Sequence, residues 1–328
     1  MQITQPWIDP CVHGGADAQG QAAFDFSTNS NACGPCPIVL SALLAVDSSH
    51  YPDPNYTQLR SLLAQFHGVE LERVLIAASA SEFIFRMSVW AKLSGLSGVA
   101  LPKYHYNDYA RAARAMQLVL HGVPSPSSLV WACEPSSPLG QADVFLQQKL
   151  DTKGVWIVDL AYAPLRLSGE STLNASDLGN VWQLWTPNKA LGLTGIRAAY
   201  AIAPHGAQVA AQNLNALAPS WSIGSHGVAM LAAWTQPEVQ QWIKKTKETL
   251  KQWKLQQILL CESLGWTCAP SDTNFFCAKP ALPLSSPALR QYGIKLRDCS
   301  SFGLSGWVRL GVLSPAAQAA LRLAIERI

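Results

Sequence analysis

One lysine of this 328-residue chain lies between two residues that can bind an anion. Lys189 stands between Thr186 and Arg197, and Gly192 and Gly195 lie on the way. A lysine amine can form a Schiff base with a carbonyl group, while a hydroxyl and a guanidinium can hold an anionic group of the same molecule. This spacing predicts a lysine that binds a carbonyl cofactor covalently beside an anchoring anion site.

A buried acid is the second candidate group. The apolar run 155–158 is typical of a buried strand; it ends at Asp159, and Tyr162 follows three residues later. A carboxylate buried beside a cation keeps its charge, so Asp159 can pair with a cationic group of the cofactor. The alternative for Asp159 is an N-cap of a helix that follows the strand.

Strands and helices that alternate along the chain must position these groups. Residues 56–67 and 81–92 have helical apolar spacing. Short apolar runs predict strands at 74–77, 98–101, 128–132, 155–158, 181–185 and 198–202. This alternation predicts an α/β fold with a mostly parallel sheet sandwiched by helices, in which active sites lie at the carboxyl ends of strands.

The chain divides into three predicted parts. Residues 1–37 are rich in Gly, Asn, Pro and Cys and are predicted to be an extended arm that contributes to the small domain and the active site. Residues 38–218 form the large domain. A Pro-Ser-Trp-Ser-Ile-Gly break precedes a smaller α+β domain, 219–328, with helices from Pro237 to about Leu264 and over 315–327.

Composition excludes several classes of function. The apolar content of 49%, the charged content of 14% and the net charge of +3 indicate a globular protein that does not bind nucleic acid. The N-terminus has no pattern of a signal peptide, and no apolar run spans a membrane, so we expect a cytoplasmic protein. The eight scattered cysteines predict free thiols, and the lone Cys33-Gly-Pro-Cys36 predicts a turn rather than a metal or redox site.

Together, these residues resemble the core of fold-type I enzymes that use pyridoxal 5'-phosphate (PLP). Their order over nearly the whole chain resembles the aminotransferase class I/II superfamily. The resemblance implies that Lys189 is the catalytic Schiff-base lysine and that Asp159 pairs with the pyridine nitrogen. It also implies that Tyr162 hydrogen-bonds the phenolic oxygen of the cofactor.

The resemblance implies further cofactor contacts. Those to the phosphate are Thr186, Arg197 and the first residues of a helix, Ala80 and Ser81. Tyr51, in a segment that resembles the family's Tyr-Pro-Asp, reaches the phosphate of a neighbouring subunit, which implies a homodimer with shared active sites. Tyr106 stacks on the cofactor ring, with Tyr104 as the alternative. For each tyrosine, ordinary core packing is the competing interpretation.

Two segments depart from the family pattern. Relatives have Asn-Pro-Thr-Gly where this chain has Ser137-Pro-Leu-Gly140, so Ser137 replaces the asparagine that contacts the phenolic oxygen. A serine is shorter than an asparagine, which changes the expected contact. Ala77 and Ser79 replace glycines before the phosphate helix.

Segments at both ends resemble a narrower branch. His13-Gly14-Gly15 and the segment from Asp25 to Pro35 resemble the cobalamin-biosynthetic threonine-phosphate decarboxylases, apart from Ala32 in place of proline. Histidinol-phosphate aminotransferases share only part of this pattern. Segments 293–304 and 307–311 resemble those that carry the paired arginines of the family. The resemblance implies that Arg309 binds the substrate carboxylate, that Arg297 meets the side-chain phosphate, and that His13, Gly14 and Asn29 close the site. Surface ion pairs are the alternative for both arginines.

The resemblance implies PLP-dependent decarboxylation of L-threonine O-3-phosphate to (R)-1-amino-2-propanol O-2-phosphate in cobalamin biosynthesis. An aminotransferase that acts on a phosphorylated substrate such as histidinol phosphate is the alternative, because motif spacing does not distinguish the two reactions. A scaffold that kept the fold but lost turnover is a third possibility, suggested by Ser137. A phosphorylated amino-acid substrate is expected in either enzyme, and no metal site is predicted.

Overall fold

The computed structural model describes residues 13–148 and 154–328. The first twelve residues of the predicted arm, including Cys11, lie outside the described residues, and so does the N-terminal segment in which no signal-peptide pattern was found. The described residues form the following α-helices: α1 (Pro37–Leu44), α2 (Thr57–His67), α3 (Ala80–Leu93), α4 (Asn107–Ala115), α5 (Ala175–Gly179), α6 (Gln208–Ala216), α7 (Ser225–Trp234), α8 (Pro237–Ser263), α9 (Ser286–Gln291) and α10 (Pro315–Arg327).

The strands of the described residues belong to one large sheet and two small ones. They are β1 (Phe24–Asp25), β2 (Val74–Ala77), β3 (Gly98–Ala100), β4 (Val119–His121), β5 (Ser128–Cys133), β6 (Val155–Asp159), β7 (Trp182–Trp185), β8 (Ala199–Ile202), β9 (Thr267–Cys268), β10 (Phe275–Lys279), β11 (Ile294–Lys295), β12 (Arg297–Asp298) and β13 (Val308–Gly311). The six strands predicted from apolar runs all belong to the seven-stranded sheet.

The large sheet has the order β2-β8-β7-β6-β5-β3-β4. Strands β4, β3, β5, β6 and β7 are parallel, and β8 is antiparallel to both of its neighbours. All six residues of β5 are buried, as expected for a parallel strand covered by helices on both faces. The α/β architecture with a mostly parallel sheet is therefore confirmed.

The C-terminal part has its own antiparallel sheet, with the order β12-β13-β10-β9. Helix α8 spans 27 residues, starts with a proline in its first turn and packs against α10. The arm joins this part through β1, which pairs in parallel with β11. Asp17 of the arm also accepts a hydrogen bond from Lys295 Nζ at 2.7 Å, so the arm is attached to the C-terminal part by backbone and side-chain contacts.

Helix α7 is one of six helices of the described residues for which the sequence predicted no bounds; the others are α1, α4, α5, α6 and α9. Helix α7 follows the predicted break at 219–224 and packs against α1 and α2. Its buried side chains include Met230, Leu231 and Trp234, which lie in the same apolar core as residues of the large sheet. Its many small residues gave a weak periodic signal, whereas packing supplies its stability. Within residues 13–148 and 154–328, no helix is both long and apolar enough to cross a membrane.

Candidate active site

Polar residues converge where the central parallel strands of the large sheet end. Cys133 and Asp159 are neighbours at the ends of β5 and β6, and Asp159 pairs in register with Leu184 of β7. The loop after β7 carries Thr186 and Lys189. Together with other segments they enclose an inner cavity, lined by Ser79, Ala80, Ser81, Tyr106, Cys133, Ser137, Asp159, Ala161, Tyr162, Thr186, Asn188, Lys189, Arg197 and Ala198. This is the strand edge that the sequence predicted.

Lys189 is half-buried in this cavity and faces Tyr162. Its Nζ lies 3.1 Å from the Tyr162 hydroxyl and 4.2 Å from the centroid of the Tyr162 ring. The loop behind it is fixed to the arm, because the backbone N–H of Asn31 donates to the Lys189 carbonyl at 2.9 Å. Gly192 has φ +71° and packs against Gly34, so neither position has room for a side chain. The loop therefore holds the lysine amine in a defined place.

Asp159 is buried, with 4% of its surface exposed. Its Oδ2 accepts a 2.7 Å hydrogen bond from the Tyr109 hydroxyl, and its Oδ1 accepts a 2.9 Å bond from the Ala161 N–H. Burial raises the pKa of Asp159, while Lys189 and these two hydrogen bonds act in the opposite direction. A cationic group placed beside Asp159 would favour the ionised carboxylate.

The beginning of α3 forms one wall of the inner cavity. Ser79 is the N-cap, and its side chain accepts a hydrogen bond from the Glu82 N–H. The first amides of the helix, at Ala80 and Ser81, line the cavity, and helix N-termini attract anions. Thr186 and Arg197 line the same cavity, and the buried Thr186 hydroxyl has no hydrogen-bond partner among the described residues. These groups form a suitable cradle for a phosphate.

Tyr106 lies at the wall of the inner cavity, whereas Tyr104 does not line it. The Tyr106 hydroxyl donates to Asp108 at 2.8 Å and lies 3.4 Å from the Ser81 hydroxyl. Burial raises its pKa, so it stays a neutral phenol. Of the two candidate stacking residues, the arrangement favours Tyr106.

A wider outer cavity opens from the inner one. It is lined by His13, Gly14, Gly15, Ser27, Thr28, Asn29, Ser81, Tyr106, Asn107, Ser137, Tyr162, Asn188, Lys189, Thr194, Arg197, Arg297, Phe302 and Arg309. All five predicted substrate residues are in this set. Arg297 and Arg309 face each other across β12 and β13, and both are buried, with 3% and 7% of their surface exposed.

The hydrogen bonds that Arg309 makes within residues 13–148 and 154–328 are long. Its Nη1 lies 3.4 Å from the Ser137 hydroxyl, its Nη2 lies 3.4 Å from the Ser27 carbonyl oxygen, and its Nε has no hydrogen-bond partner among the described residues. Arg297 donates to the Ser301 hydroxyl at 2.8 Å and to the Asp298 carbonyl oxygen. Like charges directly opposite each other on neighbouring strands repel, so an anion between these guanidiniums would stabilise the site.

The His-Gly-Gly segment is held in the outer cavity by the arm itself. The N–H of Gly15 donates to the Ser27 hydroxyl at 2.9 Å, and that hydroxyl donates to Asp25. Asp25 also accepts from Thr28 at 2.7 Å. The ring of His13 lies 6.1 Å from that of Tyr106, centroid to centroid. Asp25 therefore links the two arm motifs that the sequence identified separately.

Asn29 and Ser137 lie where the two cavities meet: Asn29 lines the outer one and contacts Tyr162, and Ser137 lines both. The Asn29 side-chain amide donates to the Tyr162 hydroxyl at 3.3 Å, while its Oδ1 has no partner among the described residues. Ser137 lines both cavities and contacts Arg309. The shorter serine side chain thus reaches toward the arginine as well as toward the inner cavity.

Tyr51 is the one predicted site residue that the single chain does not bring to either cavity. It is 77% exposed and stacks on Trp221, with the ring centroids 4.5 Å apart. Its predicted contact lies in a second subunit, so its role stays a prediction.

Several residues of the site were not predicted from the sequence. Asn188 lines both cavities, and its position directly before Lys189 was the available signal. Tyr109 lies one helical turn after Tyr106, so helical spacing could have indicated it. The role of Phe302, which packs under both arginines, had no local signal.

The inner cavity fits PLP. A phosphate fits beside the unpartnered Thr186 hydroxyl, the N-terminus of α3 and Arg197. A protonated ring nitrogen fits beside the buried Asp159 carboxylate. Lys189 lines the same cavity, near enough to the Tyr162 hydroxyl to share a hydrogen bond. The donor set therefore has a place for each polar part of the cofactor.

Comparisons with known proteins agree with this geometry. The family described as aminotransferase class I and II matches residues 23–328. A histidinol-phosphate aminotransferase from Akkermansia muciniphila is 26% identical over 89% of this chain and 86% of its own length. The structure of histidinol-phosphate aminotransferase from Sinorhizobium meliloti in complex with PLP has a TM-score of 0.77, with 20% identity over 100% of this chain and 97% of that one.

A second solved structure is similar to the same degree. L-threonine-O-3-phosphate decarboxylase from Porphyromonas gingivalis has a TM-score of 0.76 and 19% identity over 92% of this chain and 98% of that one. At this identity the likeness concerns the fold alone. The family match covers nearly the whole chain, and the inner cavity carries the groups that the cofactor needs. The chain therefore belongs to the class I and II aminotransferase family and is an enzyme that uses PLP.

Proposed function

We propose that this enzyme decarboxylates L-threonine O-3-phosphate to (R)-1-amino-2-propanol O-2-phosphate, as a step of cobalamin biosynthesis. The observation that carries the proposal is the pair of buried arginines, Arg297 and Arg309, in the same outer cavity as Lys189. Such a pair suits a substrate with two anionic groups, a carboxylate and a side-chain phosphate. The site is too basic for a neutral substrate to offset the repulsion between the guanidiniums.

The cofactor residues have the following proposed roles. Lys189 holds PLP covalently, Asp159 keeps its ring nitrogen protonated, and Tyr162 donates to its phenolic oxygen. The phosphate is bound by Ala80, Ser81, Thr186 and Arg197, and Tyr106 stacks on the ring. PLP bound in this way stabilises negative charge on the substrate's Cα. We propose Ser137 as a contact of both the cofactor and Arg309, since its hydroxyl lies 3.4 Å from Arg309 Nη1.

The substrate residues then orient the bond that breaks. Only a bond held perpendicular to the cofactor plane overlaps its π system, so the position of the carboxylate decides the reaction. Arg309 binds the carboxylate and Arg297 binds the phosphate, while His13, Gly14 and Asn29 close the site. The arm segment with His13 and Gly14, held by Asp25, supports the decarboxylase assignment because it lines the cavity that holds both arginines.

A second candidate is an aminotransferase acting on a phosphorylated substrate such as histidinol phosphate. The names of the relatives favour it: the curated proteins with 26% identity are histidinol-phosphate aminotransferases, and so are several of the similar structures. Names at this identity do not fix the substrate, but they make this candidate the better supported one on comparisons alone. A scaffold without turnover is disfavoured, because Lys189, Asp159 and Arg309 are all in place in the cavities.

One assay distinguishes the two reactions. The purified enzyme loaded with PLP is incubated with carboxyl-labelled L-threonine O-3-phosphate, and released carbon dioxide is counted. In parallel, histidinol phosphate is supplied with 2-oxoglutarate, and glutamate is measured. We expect carbon dioxide release without need for 2-oxoglutarate, and none from a Lys189→Ala variant. Glutamate formation from histidinol phosphate without carbon dioxide release from the first substrate would establish the aminotransferase instead.

We also propose a homodimer with shared active sites, in which Tyr51 binds the cofactor phosphate of the partner subunit. Its exposure of 77% supports a role outside its own chain. The division into an arm (1–37), a large domain (38–218) and a small domain (219–328) is proposed as well. The separate sheets of the two larger parts support that division, although α7 packs on the large domain.

A further inference from the structure

Tyr109 is a buried tyrosine that no part of the sequence pattern assigned to the site. It lies on α4, and only 1% of its surface is exposed. Its hydroxyl donates a 2.7 Å hydrogen bond to Oδ2 of Asp159, a residue 50 positions away in the chain. This is the only side-chain hydrogen bond that Asp159 receives within the described parts of the chain, since its other donor is the backbone of Ala161.

Aromatic packing fixes the Tyr109 ring on both sides. It stacks on Trp131 of β5, with centroids 4.6 Å apart and planes inclined by 8°. Its other neighbour is Tyr106, which meets it edge to face at 5.6 Å. Strand β5, which carries Trp131, is hydrogen-bonded to β6, which ends at Asp159, so the ring that packs on Tyr109 and the acid that accepts its hydrogen bond lie on adjacent strands of the same sheet. The hydroxyl therefore has little freedom to leave the carboxylate.

The chemistry of this pair favours a permanent donor. Burial and the negative charge of Asp159 raise the pKa of Tyr109 well above its usual value, so the phenol keeps its proton. The charged or titratable groups around Asp159 are Lys189, Tyr109 and Cys133. Burial raises the pKa of Cys133, which leaves the thiol neutral. Lys189 forms the bond to the cofactor, so Tyr109 is the side chain that remains to stabilise the Asp159 charge.

We propose that Tyr109 is a positioning residue that keeps the Asp159 carboxylate ionised and oriented toward the ring nitrogen of PLP. The inference rests on the proposed role of Asp159. With one oxygen bonded to Tyr109 and the other to Ala161, the carboxylate cannot rotate, and each oxygen keeps a lone pair for a further donor. A tyrosine present only for packing would be replaced by phenylalanine without effect on the cofactor.

The test compares Tyr109→Phe with Tyr200→Phe. Tyr200 is an equally buried tyrosine whose hydroxyl bonds to His67 and Trp234, and it lines neither cavity. PLP binding to each apo-enzyme is titrated by protein fluorescence, and the absorbance of the bound cofactor is followed against pH. The loss of a hydrogen bond to a charged group weakens binding by about tenfold. We expect this loss of PLP affinity for Tyr109→Phe and not for Tyr200→Phe.

The pH titration is the readout that a packing role would not change. A pyridine ring of PLP that is less fully protonated withdraws less electron density from Lys189 Nζ, so the nitrogen bonded to the cofactor keeps its proton to higher pH. The pH midpoint of the absorbance change should therefore be higher for Tyr109→Phe than for wild type. Tyr200→Phe should keep the wild-type midpoint. Equal PLP affinity and equal midpoints for Tyr109→Phe and wild type would overturn the inference.

Two further variants separate the possible failures. Asp159→Asn should change PLP affinity and the midpoint; if it changes neither, the proposed role of Asp159 itself is wrong. If Asp159→Asn has these effects and Tyr109→Phe has none, only the Tyr109 inference fails. Should the Tyr109→Phe variant fail to fold, 3-fluorotyrosine at position 109 keeps the shape of the side chain and makes its hydroxyl a stronger hydrogen-bond donor. It is expected to move the midpoint to lower pH, and an unchanged midpoint would contradict the inference.

Discussion

Gly14 packs directly against the backbone of Ser27, so that a Cβ atom on Gly14 would overlap the Ser27 carbonyl oxygen. The same carbonyl oxygen lies 3.4 Å from Nη2 of Arg309. The second residue of the His-Gly-Gly motif therefore has a steric reason to be glycine. Its close approach brings His13 to the cavity that holds the two buried arginines.

Gly14→Ala should damage substrate use without reducing PLP content. Relieving such an overlap costs roughly 1–3 kcal/mol and displaces the segment that carries His13; where the whole cost falls on the substrate complex, kcat/KM falls by about fivefold to a hundredfold. Steady-state kinetics and cofactor absorbance measure the two effects. Gly122→Ala is the matched control, because a Cβ there meets nothing within 4 Å. Wild-type kinetics for Gly14→Ala would contradict the packing argument.

Lys189→Ala should abolish the covalent attachment of PLP and all turnover while leaving the fold intact. The lost bond is to the cofactor and not to the apolar core. Borohydride reduction followed by mass spectrometry detects the attachment, and circular dichroism reports the fold. The exposed Lys92 on α3 provides a control, Lys92→Ala, which should be labelled like wild type. A labelled Lys189→Ala protein would refute the assignment.

Tyr51→Phe should weaken retention of PLP if Tyr51 acts across a dimer. Mixing Tyr51→Phe with Lys189→Ala should then restore some activity, because one of the two sites in a heterodimer has both residues intact. Activity is measured before and after subunit exchange, with each homodimer alone as the control. An absence of recovery in well-mixed heterodimers would remove Tyr51 from the partner's site.

Arg309→Lys and Arg297→Lys should have different effects. Lysine loses one of two parallel hydrogen bonds to a carboxylate, and charge-assisted bonds contribute roughly 1.5–3 kcal/mol each. We expect kcat/KM of Arg309→Lys to fall about tenfold to a hundredfold, with PLP binding retained. Arg297→Lys should instead erode the preference for phosphorylated over unphosphorylated threonine. If Arg309→Lys keeps full activity and Arg297→Lys loses it on both substrates, the two roles are reversed.

His67 should make the free energy of unfolding depend on pH below neutrality. Burial lowers the pKa of His67 to about 4, and its Nε2 is 2.8 Å from the Tyr200 hydroxyl. In the unfolded chain His67 takes up a proton near the ordinary histidine pKa, whereas in the folded protein it stays neutral to lower pH. The contribution of neutral His67 to the free energy of unfolding is therefore complete at neutral pH and is lost as the pH falls toward 4. At pH 5 the loss is about 2 kcal/mol.

Denaturant unfolding of wild type and His67→Gln at pH 7.5 and pH 5 checks this expectation. The destabilisation caused by His67→Gln should be about 2 kcal/mol smaller at pH 5 than at pH 7.5. His121→Gln, at an exposed histidine, controls for the loss of a surface imidazole. An equal effect of His67→Gln at both pH values would show that this histidine is not the acid-sensitive group.

The local sequence determined six of the seven strands of the large sheet, which short apolar runs are enough to predict. Each of the apolar runs that predicted strands is a strand of the large sheet, because a run buried on both faces leaves few other conformations. The carboxyl ends of parallel strands meet at one edge, which is why Asp159 and Lys189 could be placed together from the sequence. The resemblance to a family supplied the five predicted substrate residues, which line the outer cavity.

Tertiary structure decided the relationships between residues that are far apart in the chain. The Tyr109–Asp159 bond, the opposition of Arg297 and Arg309, and the contact of Gly14 with Ser27 depend on strand register and on packing. Helix α7 owes its stability to the apolar core and carries little periodic signal of its own. Tyr51 stacks on Trp221 within the chain, and its proposed contact with a second subunit stays a prediction.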